Sequence, residues 1–98
     1  MAKTPEAKVK DKVKKQLKEM GAYYFMPIGG PYAAAGVPDI VGCYESIFFG
    51  IECKAGNNKP TVLQQKNLDN IEQNGGIALV INEQNVQDVT SLLKRGIG

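Results

Sequence analysis

Residues 36–54 read GVPDIVGCYESIFFGIECK, and they decide the fold because they contain two apolar β-type runs separated by a short polar pair. Asp39 stands at the start of the first run, and Glu52 and Lys54 stand at the end of the second. Such strand positions are normally apolar, and a sequence usually departs from its own burial pattern at a functional site. The stretch therefore predicts a hairpin with a functional site at one end.

The register of this hairpin follows from its turn. We expect strands over residues 39–44 and 47–54, joined by a tight turn at Glu45 and Ser46. Opposed residues share a face of a sheet, as do residues two apart along one strand. The expected pairs are Tyr44 with Ile47, Val41 with Gly50, and Asp39 with Glu52. Asp39, Glu52 and Lys54 should therefore lie together on one face.

The first helix is predicted to begin at Pro5, with Thr4 as its N-cap. Its apolar stripe consists of Val9, Val13, Leu17 and Met20, and Gly21 ends it. Glu6 continues this stripe toward the start of the helix, so we expect its carboxylate to point inward. The alternative is that Glu6 serves only the helix macrodipole, which favours acids in the first turn.

A second helix is predicted from Thr61, its N-cap, to about residue 74, before two glycines. Leu68 and Ile71 mark its buried side, and Gln64 lies four residues before Leu68 on the same side. Gln64 is therefore a second polar residue that points toward the core. The alternative is a capping box, because Thr61-x-x-Gln64 fits that local motif.

The remaining segments complete an α/β pattern. Residues 22–26 predict a short aromatic strand, and the Gly- and Pro-rich residues 27–35 predict a flexible loop. Residues 77–81 are continuously apolar, which suits the middle of a sheet and a parallel crossover through the second helix. Asn85 is the expected cap of a closing helix that runs to Lys94, with Gly96 beyond it. We expect one domain over residues 1–98, an αβββαβ core with a mixed central sheet flanked by helices.

Composition narrows the chemistry. Histidine is absent from the 98 residues, which excludes histidine-based triads, histidine bases and histidine-ligated zinc. The two cysteines, Cys43 and Cys53, are too few for a disulfide framework, and the hairpin register places them too far apart to bond. Both are expected to be small core residues.

Charge indicates the kind of partner. The net charge is only +2, yet seven of the twelve Lys and Arg residues lie between Lys3 and Lys18. This local positive field indicates an anionic partner, although a charged helix face is often simply solvated. No apolar run approaches the roughly 20 residues that span a bilayer. We expect a soluble, intracellular protein with no membrane partner, in the cytoplasm of a bacterial or phage-infected cell.

Two opposed carboxylates repel each other and desolvate poorly unless a cation lies between them. A hard divalent ion such as Mg²⁺ or Mn²⁺ takes oxygen ligands and keeps several waters. We expect Asp39, Glu52 and the backbone carbonyl of Cys53 to form such an open site, with Lys54 close enough to act as a base or to balance charge. The alternative is a structural salt bridge between Lys54 and one of the acids.

This pattern resembles the PD-(D/E)xK nuclease superfamily and, within it, the virus-type replication-repair nuclease (VRR-NUC) family. The resemblance covers most of the chain and rests on Glu6, Gly36-x-Pro38-Asp39, Glu52-x-Lys54, and Thr61-x-x-Gln64 before a helix that ends in Gly-Gly. Cys53 departs from it modestly, because an apolar residue is common at that variable position.

The resemblance implies a restriction-endonuclease-like fold and specific roles. Asp39 and Glu52 would bind the metal, Lys54 would be catalytic, Gln64 would be the motif glutamine, and Glu6 would assist the metal or its waters. It further implies a structure-selective DNA endonuclease, acting as a homodimer on branched DNA such as four-way (Holliday) junctions, with no small-molecule cofactor.

Three alternatives stay open at this point. The chain could be a non-catalytic nucleic-acid-binding module that uses its lysine-rich helix for phosphates. It could also be a flap or duplex nuclease on the same fold. A sequence-specific restriction-type enzyme is the third, although no insertion long enough for base recognition is evident.

Overall fold

Helices and strands follow one another in the order that the sequence predicts. The structure, a computed structural model, describes residues 3–29 and 35–95. The elements within these residues are α1 (Pro5–Glu19), β1 (Tyr23–Phe25), β2 (Ile40–Tyr44), β3 (Ile47–Cys53), α2 (Val62–Gln73), β4 (Ile77–Ile81), a 3₁₀ turn (Val86–Asp88) and α3 (Val89–Arg95). The α/β class and the αβββαβ order are confirmed.

The strands form one mixed sheet in the order β1-β2-β3-β4. β1, β2 and β3 are antiparallel neighbours, and β4 runs parallel to β3. The parallel pair is joined through α2, as expected for a crossover between parallel strands. The predicted pairs Tyr44 with Ile47 and Val41 with Gly50 are present. The β2–β3 ladder ends at Ile40 and Ile51, one residue before Asp39 and Glu52.

A two-residue turn fixes the β2–β3 hairpin. Glu45 and Ser46 both have positive φ angles, 48° and 73°. Two positive φ angles define the type I′ turn, whose twist matches that of the flanking strands. The predicted tight turn and the β2–β3 register are confirmed. Continued one residue beyond the ladder, this register sets Asp39 opposite Glu52.

The main core lies on one face of the sheet. Thr4 caps α1 by accepting a hydrogen bond from the backbone N–H of Ala7 at 3.1 Å, and Pro5 occupies the first helical position. α1 and α3 cover this face. Each fully buried aliphatic or aromatic side chain contributes about 1.5–3 kcal/mol. The buried core residues are Val9, Val13, Leu17, Ile40, Phe49, Ile51, Cys53, Ile81, Val86, Val89 and Leu93.

The opposite face is covered in part by α2, which packs on β3 and β4. Gly50 makes this packing possible, because a Cβ there would lie 2.5 Å from Cδ1 of Ile71 and 3.1 Å from Cγ of Pro38. Pro38 is buried beside this glycine. The absence of a side chain at Gly50 therefore lets both α2 and the residue before Asp39 lie directly on the sheet.

The structure corrects the position of β4, which lies at an edge of the four-stranded sheet and not in its middle. Its apolar run has another cause. Ile77, Leu79 and Ile81 pair with the core-facing residues of β3, whereas Ala78 and Val80 alternate toward the α2 side. Helices on both faces call for apolar residues at both sets of positions.

Several predicted boundaries and contacts also change. β1 and β2 begin one residue later than predicted, and β3 ends one residue earlier, so Asp39 and Lys54 flank the strands. Asn85 makes no capping hydrogen bond; its side chain accepts from the N–H of Asn82 at 2.8 Å instead. Cys43 is exposed, which corrects its expected place in the core, whereas Cys53 is buried and both are free thiols. Gly96 lies outside the described residues, as does most of the predicted loop, residues 30–34.

None of the helices in the described parts of the chain combines the length and the apolar character that crossing a bilayer requires.

Candidate active site

Asp39 is held at the end of the hairpin by its backbone neighbours and by two polar contacts. Its Oδ2 accepts a hydrogen bond from the backbone N–H of Cys53 at 2.8 Å. Its Oδ1 lies 3.7 Å from Nζ of Lys10, on α1. The Asp39 side chain is 21% exposed, so one side of it remains open to solvent. The carboxylate is therefore oriented by the partner strand and accessible to a ligand.

Glu52 is the buried acid of the site. Its exposed fraction is 1%, and Oε2 finds no hydrogen-bond partner among residues 3–29 and 35–95. The pKa of Glu52 is raised to about 8, mainly by burial and in addition by the adjacent Asp39 carboxyl group, while Lys54 acts in the opposite direction. A buried carboxylate with an unpartnered oxygen is costly and needs either a proton or a cation.

Lys54 and Glu6 lie near this pair. Lys54 directly follows β3, and its backbone N–H donates to the carbonyl of Ile81 at 2.9 Å. Its charge opposes the rise in the pKa of Glu52, whereas the half-buried Glu6 of α1 adds slightly to that rise. Asp39, Lys54 and Glu6 thus all lie close enough to Glu52 to influence its pKa.

The structural salt bridge that was the alternative for Lys54 is not formed. No carboxylate in the described segments lies within 4.0 Å of its Nζ, and the ion pair of Asp39 is with Lys10 instead. Lys54 is therefore not committed to a structural pair.

Gln64 forms the capping box that was its alternative. Its Oε1 accepts from the backbone N–H of Thr61 at 2.9 Å, and its own N–H donates to Oγ1 of Thr61 at 3.2 Å. The capping box thus explains the position of the side-chain oxygen of Gln64, and it does not use the side-chain NH₂ group. A role for Gln64 beyond the cap stays a prediction.

Gly36 connects the start of α2 to the segment that carries Asp39. It has a φ of +79°, and a Cβ there would lie 2.6 Å from the carbonyl carbon of Leu63 and 2.9 Å from the backbone N of Gln64. Both the conformation and the close contact require glycine. The motif Gly36-x-Pro38-Asp39 therefore has a packing explanation: its first residue touches α2 and its proline touches Gly50.

Cys53 acts in the site through its backbone and not through its thiol. Burial raises the pKa of its thiol to about 12, with Asp39 adding to the rise, so the sulfur stays protonated and is not a nucleophile. Its N–H orients Asp39. Coordination of a metal by its carbonyl stays a prediction.

Lys10 is the site residue that the sequence analysis did not single out. It was one of several lysines that flank the α1 stripe, yet it is four residues after Glu6 and therefore on the same side of the helix. The four-residue spacing from Glu6 was the feature of the sequence that could have placed Lys10 at the site. Lys10 and Asp39 also line a cavity of about 420 Å³, together with residues 26–29 and 36–38.

Comparison with known proteins identifies the class of fold. A solved structure described as a VRR_NUC domain has a TM-score of 0.72 and 18% identity, covering 94% of this chain and 97% of that one. A second, described as a VRR_NUC domain protein, has a TM-score of 0.70 and 20% identity, covering 98% and 90%. No protein-family model matches the sequence. No curated protein matches it either.

The chain thus has the fold of VRR_NUC domains over nearly its whole length. This confirms, at the level of the fold, the resemblance predicted from the motifs.

We expect Gly36→Ala to destabilise the protein more than Gly21→Ala. Gly21 has nearly the same φ, +78°, but nothing lies within 4 Å of a Cβ placed there. Gly21→Ala should therefore cost only the left-handed conformation, about 1–2 kcal/mol. Gly36→Ala adds the collision with α2, at least about 1 kcal/mol more. Urea denaturation measures both, and equal losses of stability would contradict the proposed contact.

The raised pKa of Glu52 predicts that the metal-free protein loses stability as the pH rises. Between pH 4.5, the ordinary pKa, and about 8, the folded state keeps the proton on Glu52 and the unfolded state releases it. Because the unfolded state then binds fewer protons, the free energy of unfolding falls with pH, by up to about 1.4 kcal/mol per unit. The fall levels off above the folded-state pKa.

Denaturation in chelator at a series of pH values from 5 to 9, roughly the window of this titration, measures the effect. Glu52→Gln has no group to titrate and should show a flatter profile. If the two proteins have parallel profiles, Glu52 is not the group responsible.

Proposed function

We propose that this protein is a metal-dependent endonuclease that hydrolyses phosphodiester bonds in DNA, with Mg²⁺ or Mn²⁺ as its cofactor. The observation that carries the proposal is the buried Glu52 carboxylate, with an unpartnered oxygen, beside the oriented carboxylate of Asp39. This pair lies on a fold shared with VRR_NUC domains.

The donor set fits a hard divalent cation. Asp39, Glu52 and Glu6 supply carboxylate oxygen atoms, and the nearby thiol of Cys53 remains protonated. Within residues 3–29 and 35–95, no three Cys, Asp or Glu side chains are grouped closely enough to hold a metal by themselves. Mg²⁺ fits this limit, since it usually takes one or two carboxylates and fills its shell with waters and substrate phosphate. The Cys53 carbonyl and, through water, Glu6 are the further donors we propose.

A divalent ion bound here would polarise the phosphodiester and lower the pKa of a bound water. The residues of the chain have separate tasks. Asp39, fixed by the N–H of Cys53, and Glu52, fixed by its burial in the strand, would define the position of the cation. Lys54 has no competing ion pair in the described segments, so its ammonium is available to orient the attacking water or to stabilise charge on the phosphate.

The charge of α1 supports DNA as the partner. Lys3, Lys8, Lys10, Lys12, Lys14, Lys15 and Lys18 all belong to this helix or its start. Contacts of lysine with phosphates supply the sequence-independent part of DNA affinity. Lys10 brings this positive charge directly to the edge of the acidic site.

We further propose a homodimer that acts on four-way junctions. An uncovered part of the sheet carries apolar side chains: Tyr23 is 72% exposed, Phe25 50% and Phe48 47%. Tyr23 is paired with Cys43 and Cys43 with Phe48, so Tyr23, Cys43 and Phe48 form a row across three strands on one face. Phe25, two residues after Tyr23 on β1, lies on the same face. A second copy could cover such a row, and a two-fold dimer presents two sites to a symmetric junction.

A non-catalytic nucleic-acid-binding module is the alternative. It accounts for the Lys10–Asp39 ion pair as a structural contact. It does not account for a glutamate buried to 1% exposure with an oxygen that has no partner.

Glu52→Gln and Asp39→Asn should each reduce cleavage of a synthetic four-way junction at least about 100-fold, because a metal contributes several kcal/mol to phosphoryl transfer. Glu72→Gln on the exposed side of α2 is the matched control and should cut like the wild type. Excess chelator should abolish cleavage by the wild type. Turnover retained in chelator, or in either site variant, would contradict the metal mechanism.

The same assay with flaps and plain duplex tests the substrate, and the mass in solution tests the dimer. Preference for junctions by a dimer is the expected result. A monomer with full activity on junctions would contradict the dimer, and equal rates on duplex would contradict the junction preference.

Gln64→Glu separates the two roles of this residue. Glutamate also completes a capping box, so the stability of α2 should be kept within about 0.5 kcal/mol. If Gln64 serves only the cap, cleavage is unchanged. If Gln64 also contacts the substrate or a water at the site, as the motif role predicts, kcat should fall at least tenfold, because a carboxylate cannot donate the hydrogen bond of an amide N–H. Thermal unfolding and cleavage of the same preparation decide between the roles.

A further inference from the structure

Lys10 differs from the neighbouring α1 lysines in the partner it contacts. Lys3 and Lys14 both pair with Asp11, which belongs to the same helix. Lys10 pairs across to Asp39 of the hairpin. Lys10 and Lys14 are equally exposed, each at 33%, so exposure does not distinguish them.

The contact between Lys10 and Asp39 is electrostatic and loose. Its N–O distance of 3.7 Å is longer than a hydrogen bond, so no directional bond has to break when it opens. The stronger contact to Asp39 comes from the N–H of Cys53, at 2.8 Å, and uses the other oxygen. The oxygen that faces Lys10 is therefore the one whose partner is easily exchanged.

A divalent cation at Asp39 and Glu52 would bring a second positive charge close to the Lys10 ammonium. Like charges at such distances repel, and the ammonium also competes with the metal for Asp39. Metal binding in the site therefore favours release of Lys10 from Asp39.

A released Lys10 has a defined place to act. Its side chain lines the cavity of about 420 Å³ beside Asp39, whose walls include Met26, Ile28, Val37 and Pro38. Met26 is 41% exposed and Ile28 90% exposed, so this side of the cavity is open to solvent and an anion can enter from there. A phosphate of a DNA strand that crosses the site would meet the ammonium there.

We propose that Lys10 acts as a stand-in cation at Asp39 in the metal-free protein and moves to a DNA phosphate when the metal binds. Lys10 is then a positioning residue that couples metal binding to DNA binding. The inference deepens the proposed nuclease function and rests on it.

Metal binding without DNA provides the first test. We expect Lys10→Met to bind Mn²⁺ about three- to tenfold more tightly than the wild type, because a competing positive charge is removed. Lys14→Met removes the same charge at the same exposure but pairs with Asp11, so its Mn²⁺ affinity should be that of the wild type. Lys10→Arg keeps the charge and should also match the wild type. Titration by electron paramagnetic resonance measures free Mn²⁺ directly.

DNA binding provides the second test. With Ca²⁺ as a metal that permits binding, Lys10→Met should bind a four-way junction about three- to tenfold more weakly than the wild type, because a phosphate contact is lost. In chelator the difference should be smaller, since Lys10 is then engaged with Asp39. Opposite changes in the two affinities are not expected from a residue that only supports the fold.

Several results would overturn the inference. Unchanged or weaker Mn²⁺ binding by Lys10→Met shows that Lys10 does not compete with the metal. An equal loss of DNA affinity with and without metal shows a permanent contact and not an exchange. If the wild type itself binds no Mn²⁺, the proposed function fails and the inference fails with it. If the wild type binds Mn²⁺ and only the Lys10 effects are missing, the nuclease proposal stands alone.

Discussion

A carboxylate that is almost completely buried must be neutralised, and Glu52 imposes this requirement on the whole protein. The side chain is 1% exposed and shares the end of the hairpin with a second acid. In the absence of metal, a proton satisfies the requirement, which is why the pKa of Glu52 rises to about 8. A divalent cation, as proposed above, would satisfy it instead and would keep the carboxylate ionised. The burial that weakens the metal-free fold would then favour binding of the cation.

The scaffold around this site relies on close backbone approaches. Gly36 lets the segment before Asp39 touch the start of α2, and Gly50 lets Pro38 lie on the sheet. The N–H of Cys53 then fixes the carboxylate of Asp39. These contacts leave Asp39 little freedom to move, because each involves backbone atoms or a rigid ring. Preorganisation of this kind matters for catalysis, since a group that is already oriented needs no reorganisation during the reaction.

Much of this arrangement could be predicted from the sequence, because local rules determine it. The Glu45-Ser46 turn fixes the register, and the register alone places Asp39 opposite Glu52. Helix α1 follows from its cap and from the spacing of its apolar residues. The edge position of β4 could not be predicted in this way. A continuous apolar run indicates that helices cover both faces of a strand, but it does not indicate how many strands lie beside it. The Lys10–Asp39 contact depends on how α1 docks on the sheet, which periodicity does not specify.

The two cysteines differ in a way that is useful in practice. Cys53 is buried and its thiol stays protonated, whereas Cys43 is exposed in the uncovered row between Tyr23 and Phe48. Maleimide reagents attack accessible thiolates, so the natural protein carries one labelling position without any mutation. A fluorophore at Cys43 lies between Tyr23 and Phe48, on the face proposed above for contact with a second copy. A bulky label there would obstruct such a contact, so a labelled protein that stays monomeric while the unlabelled protein dimerises would assign the interface to this face.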